Sequence, residues 1–318
     1  MIKENSVAVL MSTYNGEKFV ENQIVSILEQ DNVDVHLFIR DDGSSDGTLK
    51  LLDKMKSVFS DQITIVRGEN LGYARSFFEL MKLSQLEQYE YVAFSDQDDV
   101  WKKNKLEIMI RSQVQVSDVN MPKLSFSNGT VTSGTQAIGK LYEKQPPAES
   151  IISSRYRAFY GMSFLLNRSL LTVVLNSNID DISGFGHDDW IMMVAVTTGT
   201  VIYVNEELIE YRQHENNVSG IKGTNESEGK IHALIRVFLN IKERLNHWSF
   251  VNSANAEYVL NNVPEIFILK EQRLLLDRLV KSNKSTRERM GLFFSSQLST
   301  GSVTQDIILR ILLLARRI

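Results

Sequence analysis

Val7-Ala8-Val9-Leu10-Met11 runs directly into Ser12-Thr13-Tyr14-Asn15-Gly16-Glu17. Five consecutive apolar residues fit a strand buried on both faces. The polar stretch after them reads as a strand-to-helix turn. Asn15-Gly16 supplies backbone freedom, and Glu17 puts negative charge at a helix start. Residues 17–30 then carry Phe19, Val20, Ile24, Ile27 and Leu28 at helical spacing. The unit repeats. Val33, Val35, Leu37 and Ile39 alternate as a strand, and residues 47–57 are helical. Ile63-Thr64-Ile65-Val66 is a strand, and a helix covers residues 73–84. Tyr91-Val92-Ala93-Phe94 is a strand, and residues 102–116 return to helix. Strand and helix alternating in this way predict an α/β fold with a parallel sheet covered by helices. Ligands bind such sheets beyond the carboxyl ends of the strands, which is where the polar clusters fall.

From about 120 to 215 the rhythm becomes irregular. Short strands are expected near 124–128, 158–166 and 200–204, and a helix near 188–197. Residues 216–229 are polar and read as a loop; from 230 onward Leu, Arg, Lys and Glu dominate, and helices are expected. The chain has 318 residues, 43% hydrophobic and 23% charged, an ordinary globular composition that needs no staples. It has no cysteine, which excludes disulfides, a thiol nucleophile and thiolate metal sites.

The net charge is −4, unevenly spread. Residues 1–269 hold 25 basic and 35 acidic side chains, whereas residues 270–318 hold 10 basic and 4 acidic. An acidic body argues against nucleic acid as a partner. A basic tail with the apolar run Ile307–Ile318 points to an anionic membrane surface or an acidic partner. The N-terminus has no signal-peptide pattern, and no apolar stretch is long enough to span a bilayer. A cytoplasmic protein, peripheral at most on the inner face of the membrane, is expected.

Each strand end has a chemical reading and a plain one. In Ser12–Glu17, Tyr14 can stack on a nucleobase and Thr13 can hydrogen-bond it; the plain reading is a simple turn. Arg40-Asp41-Asp42-Gly43-Ser44-Ser45-Asp46-Gly47-Thr48 offers carboxylates to a base or ribose. It also reads as a capped turn, or as a calcium loop through Asp42, Ser44, Asp46, Gly47 and Asp53. The preceding strand and the missing Glu at the twelfth position disfavour calcium. Asn70-Leu71-Gly72-Tyr73-Ala74-Arg75 places Arg75 toward phosphate or base, or on the surface. Ser95-Asp96-Gln97-Asp98-Asp99-Val100-Trp101 packs three carboxylates into four residues. They repel unless a positive group sits among them, and a divalent cation on a diphosphate is the natural candidate. His187-Asp188-Asp189-Trp190 opens a helix with either a general base or capping residues.

In this order the motifs resemble family 2 glycosyltransferases of the GT-A fold, and within them bacterial polysaccharide rhamnosyltransferases. The matching segments are Ser12–Glu17, Asp41–Thr48, Asn70–Gly72, Asp96–Trp101, His187-Asp188 and Tyr211-Arg212-Gln213-His214-Glu215-Asn216-Asn217-Val218-Ser219-Gly220, within residues 5–220. The resemblance implies a mostly parallel central sheet flanked by helices, with a helical C-terminal region. Residues 1–220 would form the catalytic domain, with 1–120 as its nucleotide-binding half and 121–220 as its acceptor half. Residues 221–318 would be helical.

The resemblance also implies site roles. Thr13, Tyr14, Glu17, Asp41, Asp42, Arg75, Asp96 and Gln97 would surround the nucleotide-sugar. Asp96-Gln97-Asp98 stands at the DxD motif. Asp98 and His214, with Asp96 as a further candidate, would ligate Mn²⁺ or Mg²⁺. Asp188 occupies the position of the catalytic base. The rhamnosyl branch often has His-Asp-Trp-Trp, whereas Asp189 stands third here, so Asp189 is an alternative base. The implied reaction is inverting transfer from dTDP-rhamnose or a UDP-sugar to a glycan or a polyprenyl-diphosphate-linked acceptor. The C-terminal region would contact the membrane or a second copy in a homodimer. Two rivals exist. A nucleotidyltransferase would want a Gly-rich basic turn where Ser12–Gly16 stands. A binding protein without transfer activity is disfavoured by the retained Asp96, Asp98, Asp188 and His214.

Overall fold

The computed structural model describes residues 5–148, 150–155, 159–178, 185–215, 251–301 and 303–314. The chain forms two compact units, Met1–Pro146 with Ala158–Gln213 and Pro147–Arg157 with His214–Ile318.

The first unit is built on one sheet. Its strands are β1 Ser6–Thr13, β2 Asp34–Asp41, β3 Ile63–Arg67, β4 Tyr91–Ser95, β5 Val100–Trp101, β6 Lys123–Ser133, β7 Gln136–Lys140, β8 Phe164–Asn167 and β9 Thr200–Arg212. The order across the sheet is β3-β2-β1-β4-β8-β6-β9-β5, with β7 paired to β6. β1 pairs in parallel with both β2 and β4, and β2 with β3. β8 runs antiparallel between β4 and β6, and β9 returns parallel to β6. The helices of this unit are α1 Val20–Leu28, α2 Thr48–Val58, α3 Tyr73–Met81, α4 Lys105–Val114, α6 Arg168–Asn176 and α7 His187–Thr198; the intervening α5, Ile151–Arg155, belongs to the second unit.

The apolar run that opens the chain behaves as its composition demands. Val7 to Met11 are all fully buried, because helices cover both faces of the central strand. The sheet order reverses between β1 and β4, which opens a crevice at their carboxyl ends. Register aligns those ends: Thr13 lies opposite Asp41, and Met11 opposite Ser95.

The irregular middle differs from the sequence expectation. The strand expected near 158–166 is a 3₁₀ turn at Gly161–Ser163 followed by β8. The strands expected near 124–128 and 200–204 extend to Ser133 and Arg212. Their polar second halves pair with each other through register shifts at Ser127/Asn128 and Asn128/Thr130. Such irregular pairing breaks the period-two pattern that marks a strand in sequence. The short β5 escapes detection because it is only Val100-Trp101.

In the second unit, helices span Val251–Asn262, Lys270–Ser282, Thr286–Phe293 and Val303–Leu314. Leu275, Leu276 and Leu279 are buried, and the buried Arg289 donates to the Ser282 carbonyl at 2.8 Å. Val303, Ile307, Ile311 and Leu314 form an exposed apolar stripe at i, i+4, i+8 and i+11 on the last helix. The expected loop at 216–229, the helices at 230–250, the motif end Asn216–Gly220 and the terminal Arg316-Arg317 lie outside the described residues. Among the described residues, no helix is long and apolar enough to cross a membrane.

Candidate active site

The loops after β1 and β2 are sewn together by their own side chains. Thr13 Oγ1 donates to Asp41 Oδ2 at 2.9 Å. Asp41 also accepts from the Ser44 amide at 2.9 Å and the Ser44 hydroxyl at 2.6 Å. Asn15, at positive φ, accepts from the Ser45 amide at 2.8 Å. The Gly47 amide donates to Glu17 at 3.0 Å, and the Glu17 amide to Asp46 at 3.1 Å. Glu17 therefore satisfies an amide at the entry to α2, a place where helical N–H groups lack backbone partners.

Asp42 is equally committed. It forms a buried ion pair with Arg40 and accepts from the amides of Leu71 and Gly72, each at 2.9 Å. The Arg40 guanidinium also bonds the Glu69 carbonyl at 3.0 Å and Ser76 Oγ at 3.2 Å. This pair ties the end of β2 to the start of α3. Arg40 was quoted in the motif, but its task had no signal in the sequence, because it depends on what lies across the fold.

Gln97 grips the backbone of Tyr14 from both sides. Its amide oxygen accepts from the Tyr14 N–H at 2.9 Å, and its Nε2 donates to the Tyr14 carbonyl at 3.0 Å. A Cβ at Gly16 would collide with that same amide, so a larger residue there would displace Gln97 from its grip on Tyr14. The Tyr14 ring is left half-exposed above the strand ends. Arg75 is exposed on the first turn of α3 and forms no ion pair among the described residues.

The loop after β4 differs in its electrostatics. Burial, then the charges of Asp98 and Asp188, raise the Asp96 carboxyl to about 7. Asp99 is fully buried, and its Oδ2 has no partner among the described residues. Burial pushes Asp99 up and the neighbouring buried Lys105 down; each charge partly offsets the other's shift. Lys105 Nζ donates to the Met162 carbonyl at 2.7 Å and sits 3.3 Å from the centre of the Trp101 ring. Arg212, at the end of β9, donates to the Asp98 carbonyl at 2.5 Å and the Asp99 carbonyl at 3.0 Å. Lys105 lowers both Asp96 and Asp99 by its charge, whereas Arg212 acts on the loop through its carbonyls and through its own N–H toward Asp99.

α7 brings Asp188 and Asp189 into its first turn, and the Asp189 amide donates to Asp188 Oδ1 at 2.9 Å. His187 is buried against Phe77, with ring centroids 4.0 Å apart, and Phe94, at 5.4 Å. Neither ring nitrogen has a partner among the described residues, and burial pushes the imidazole down to about 3. His187 is therefore neutral at physiological pH, and a Cβ at Gly161 would strike Nε2 and force the ring to shift. Tyr73 is a further neighbour. Burial, then the charges of Asp188, Asp189 and Asp96, raise its phenol, which puts the hydroxyl within electrostatic reach of all three. Tyr73 and Lys105 were not expected at the site; their sequence neighbours read as ordinary helix starts.

The structure thus brings Thr13, Tyr14, Asp41, Gln97 and the Asp96–Asp99 loop to one edge of the sheet, with Asp188 in electrostatic contact with Asp96. His214 follows β9 and begins the second unit. Among the described residues, no three carboxylate or imidazole side chains converge as a metal cage. Asp96 and Asp98 nevertheless suit an ion of the Mg²⁺ type, which takes one or two carboxylates and fills its shell with phosphate and water. A surface cavity of about 430 Å³ lies at the other end of the strands, lined by Asn32, Val33, Ile110 and Val114, away from these residues.

Comparison with known proteins gives the family and the fold. The sequence profile described as "Glycosyl transferase family 2" matches residues 8–172. The chain belongs to this family and is a glycosyltransferase. It is 29% identical over 285 residues to the dTDP-rhamnosyl transferase RfbG of Shigella flexneri, covering 85% of this chain and 96% of the relative. Among solved structures it is similar to S. aureus TarS 1–349 in complex with UDP-GlcNAc, with a TM-score of 0.54 and 15% identity, covering 92% of this chain and 77% of that one. It also resembles GalNAc-T7 with UDP, GalNAc and Mn²⁺, with a TM-score of 0.50 and 12% identity, covering 67% and 45%. The fold is GT-A: a mixed, mostly parallel sheet with flanking helices and C-terminal helices.

Proposed function

We propose that this glycosyltransferase moves L-rhamnose from dTDP-β-L-rhamnose, with inversion, to a glycan or polyprenyl-diphosphate-linked acceptor in bacterial cell-wall, capsular or O-antigen polysaccharide synthesis. The observation that carries the rhamnosyl reading is the likeness to a dTDP-rhamnosyl transferase along nearly its whole length. A UDP-hexose donor is the second reading, favoured by the UDP-GlcNAc held in the TarS complex.

Tyr14 stacks on the base, and Thr13 with Asp41 forms the floor beside it. Asp42, Glu17 and Gln97 act by shaping this cradle, since each is engaged with the protein's own backbone. Arg75 offers an exposed positive charge to the diphosphate. Asp188 takes the proton from the acceptor hydroxyl as its oxygen attacks the anomeric carbon. The bond from that carbon to the diphosphate oxygen breaks, and the nucleoside diphosphate leaves. A β-linked donor then gives an α-rhamnoside. Asp189 is the alternative base. The neutral wall of His187, Phe77 and Phe94 excludes water behind Asp188. A bound Mn²⁺ or Mg²⁺ supplies charge stabilisation to the departing diphosphate. The family's ligand positions correspond to Asp98 and His214, with Asp96 as a further candidate.

Residues 1–220 are the catalytic region in this reading, and residues 221–318 the helical one. The exposed stripe of Val303, Ile307, Ile311 and Leu314, on a segment rich in Lys and Arg, supports peripheral contact with the inner face of the membrane. The same stripe also suits a homodimer.

The test is a donor screen. Purified protein with Mn²⁺ receives dTDP-rhamnose, UDP-glucose, UDP-galactose, UDP-N-acetylglucosamine or GDP-mannose, with and without an acceptor, and nucleoside diphosphate release is followed. Release from dTDP-rhamnose alone, lost on chelation, is the expected result. Release from a UDP-sugar instead removes the rhamnose assignment and keeps the mechanism.

A further inference from the structure

We propose that Arg212 is a positioning residue that holds the Asp96–Asp99 loop in its ligand-binding shape. The proposal rests on reading that loop as the face toward diphosphate and cation. The loop leaves β4 at Ser95 and re-enters the sheet after four residues as β5. β5 is only two residues long, so its own pairing, Val100 with Glu210 and Trp101 with Ile209, is a weak anchor. Arg212 supplies the rest. Its Nε donates to the Asp98 carbonyl at 2.5 Å and its Nη2 to the Asp99 carbonyl at 3.0 Å. Its own N–H points to Asp99 Oδ1 at 3.4 Å. One planar guanidinium thus fastens two consecutive peptide units, the pair that flanks the Asp99 Cα, and the first of them directly follows Asp98.

The Arg212 side chain is itself well fixed. The guanidinium carbon lies 4.9 Å from the centre of the Phe19 ring, at the entry to α1. Its backbone pairs with Thr132 of β6, and the next amide, of Gln213, donates to the Thr132 carbonyl at 2.8 Å. Its backbone N–H also draws the Asp99 carboxyl down, against the burial that raises it. Lysine cannot reproduce the side-chain contacts, because an ammonium lacks the rigid fork that serves two carbonyls at once.

The experiment uses the full chain with Arg212→Ala and Arg212→Lys. Hydrogen–deuterium exchange is measured in metal-free protein, Mn²⁺ affinity by electron paramagnetic resonance of the free ion, and folding by thermal melting. In R212A, exchange across residues 96–101 should accelerate while β1 and β4 keep their protection. Mn²⁺ affinity should weaken about 10- to 100-fold, the usual cost of removing an outer-shell support. R212K should fall between R212A and the parent. Unchanged exchange and unchanged Mn²⁺ affinity in R212A would overturn the proposal. So would accelerated exchange spread evenly over the sheet, which marks a general folding role. If the parent protein binds no Mn²⁺, the metal reading fails, and the exchange measurement alone decides the role of Arg212.

Discussion

Asp41 and Asp42 close β2, Asp96 to Asp99 close β4, and a single strand, β1, lies between them. Around β2 the carboxylates are saturated from within. Asp41 accepts three hydrogen bonds, and Asp42 has an arginine and two amides. Around β4 the carboxylates crowd one another. Asp96 is raised to about 7 by burial and like charge, and Asp99 keeps an unpartnered oxygen among the described residues. Acidic motifs that look alike in sequence therefore do different work. The first holds the cradle open at a set width. The second stores repulsion that a cationic ligand or the neighbouring Lys105 must relieve.

The largest effect should come from the reactive side of this contrast. Asp188→Ala should lower kcat by roughly 10²–10⁴, the range for losing a catalytic acid or base, and Asp98→Ala should abolish metal-dependent release, each with thermal stability kept. Nucleoside diphosphate release and a melting curve read both quantities. An Asp188→Ala enzyme that stays active, beside a dead Asp189→Ala, would move the base to Asp189.

The saturated side should respond in the opposite way. Asp42→Ala strands the buried Arg40 and two amides and should cost about 3–5 kcal/mol in urea unfolding. A loss well under 1 kcal/mol would erase the distinction between the two loops.

The smallest effect sharpens the comparison through pH. Because Asp96 has a higher pKa folded than unfolded, the folded state holds a proton that the unfolded state releases. Its destabilising effect is absent below the ordinary carboxylate pKa, grows as pH rises, and is complete above about 7. In chelated protein, Asp96→Asn should therefore raise Tm by a few degrees at pH 8, and the gain should fade toward pH 4. A gain that is equal at both pH values would mean that charge is not the cause.

Legibility followed the same division. The four strand ends could be read because buried parallel strands are short apolar runs, and their polar ends stand out against them. The tasks of Glu17, Asp42 and Gln97 could not be read. Each is set by an amide 30, 29 or 83 positions away in the chain. Arg212 lay within a quoted motif, but its partners, Asp98 and Asp99, are 114 and 113 positions distant. β7 and β5 escaped notice because they are short strands with no apolar run of their own.

The α/β class, the alternation of the first half, and the set of acidic and hydroxyl residues at the strand ends are all written in the order of residues along the chain. Those features follow from local periodicity and from the rule that loops beyond parallel strands are polar. Tertiary structure alone decided which of those residues are spent on the fold and which face a ligand. A carboxylate's role depends on the donors and charges around it in space, and here those arrive from up to 114 positions away in the chain.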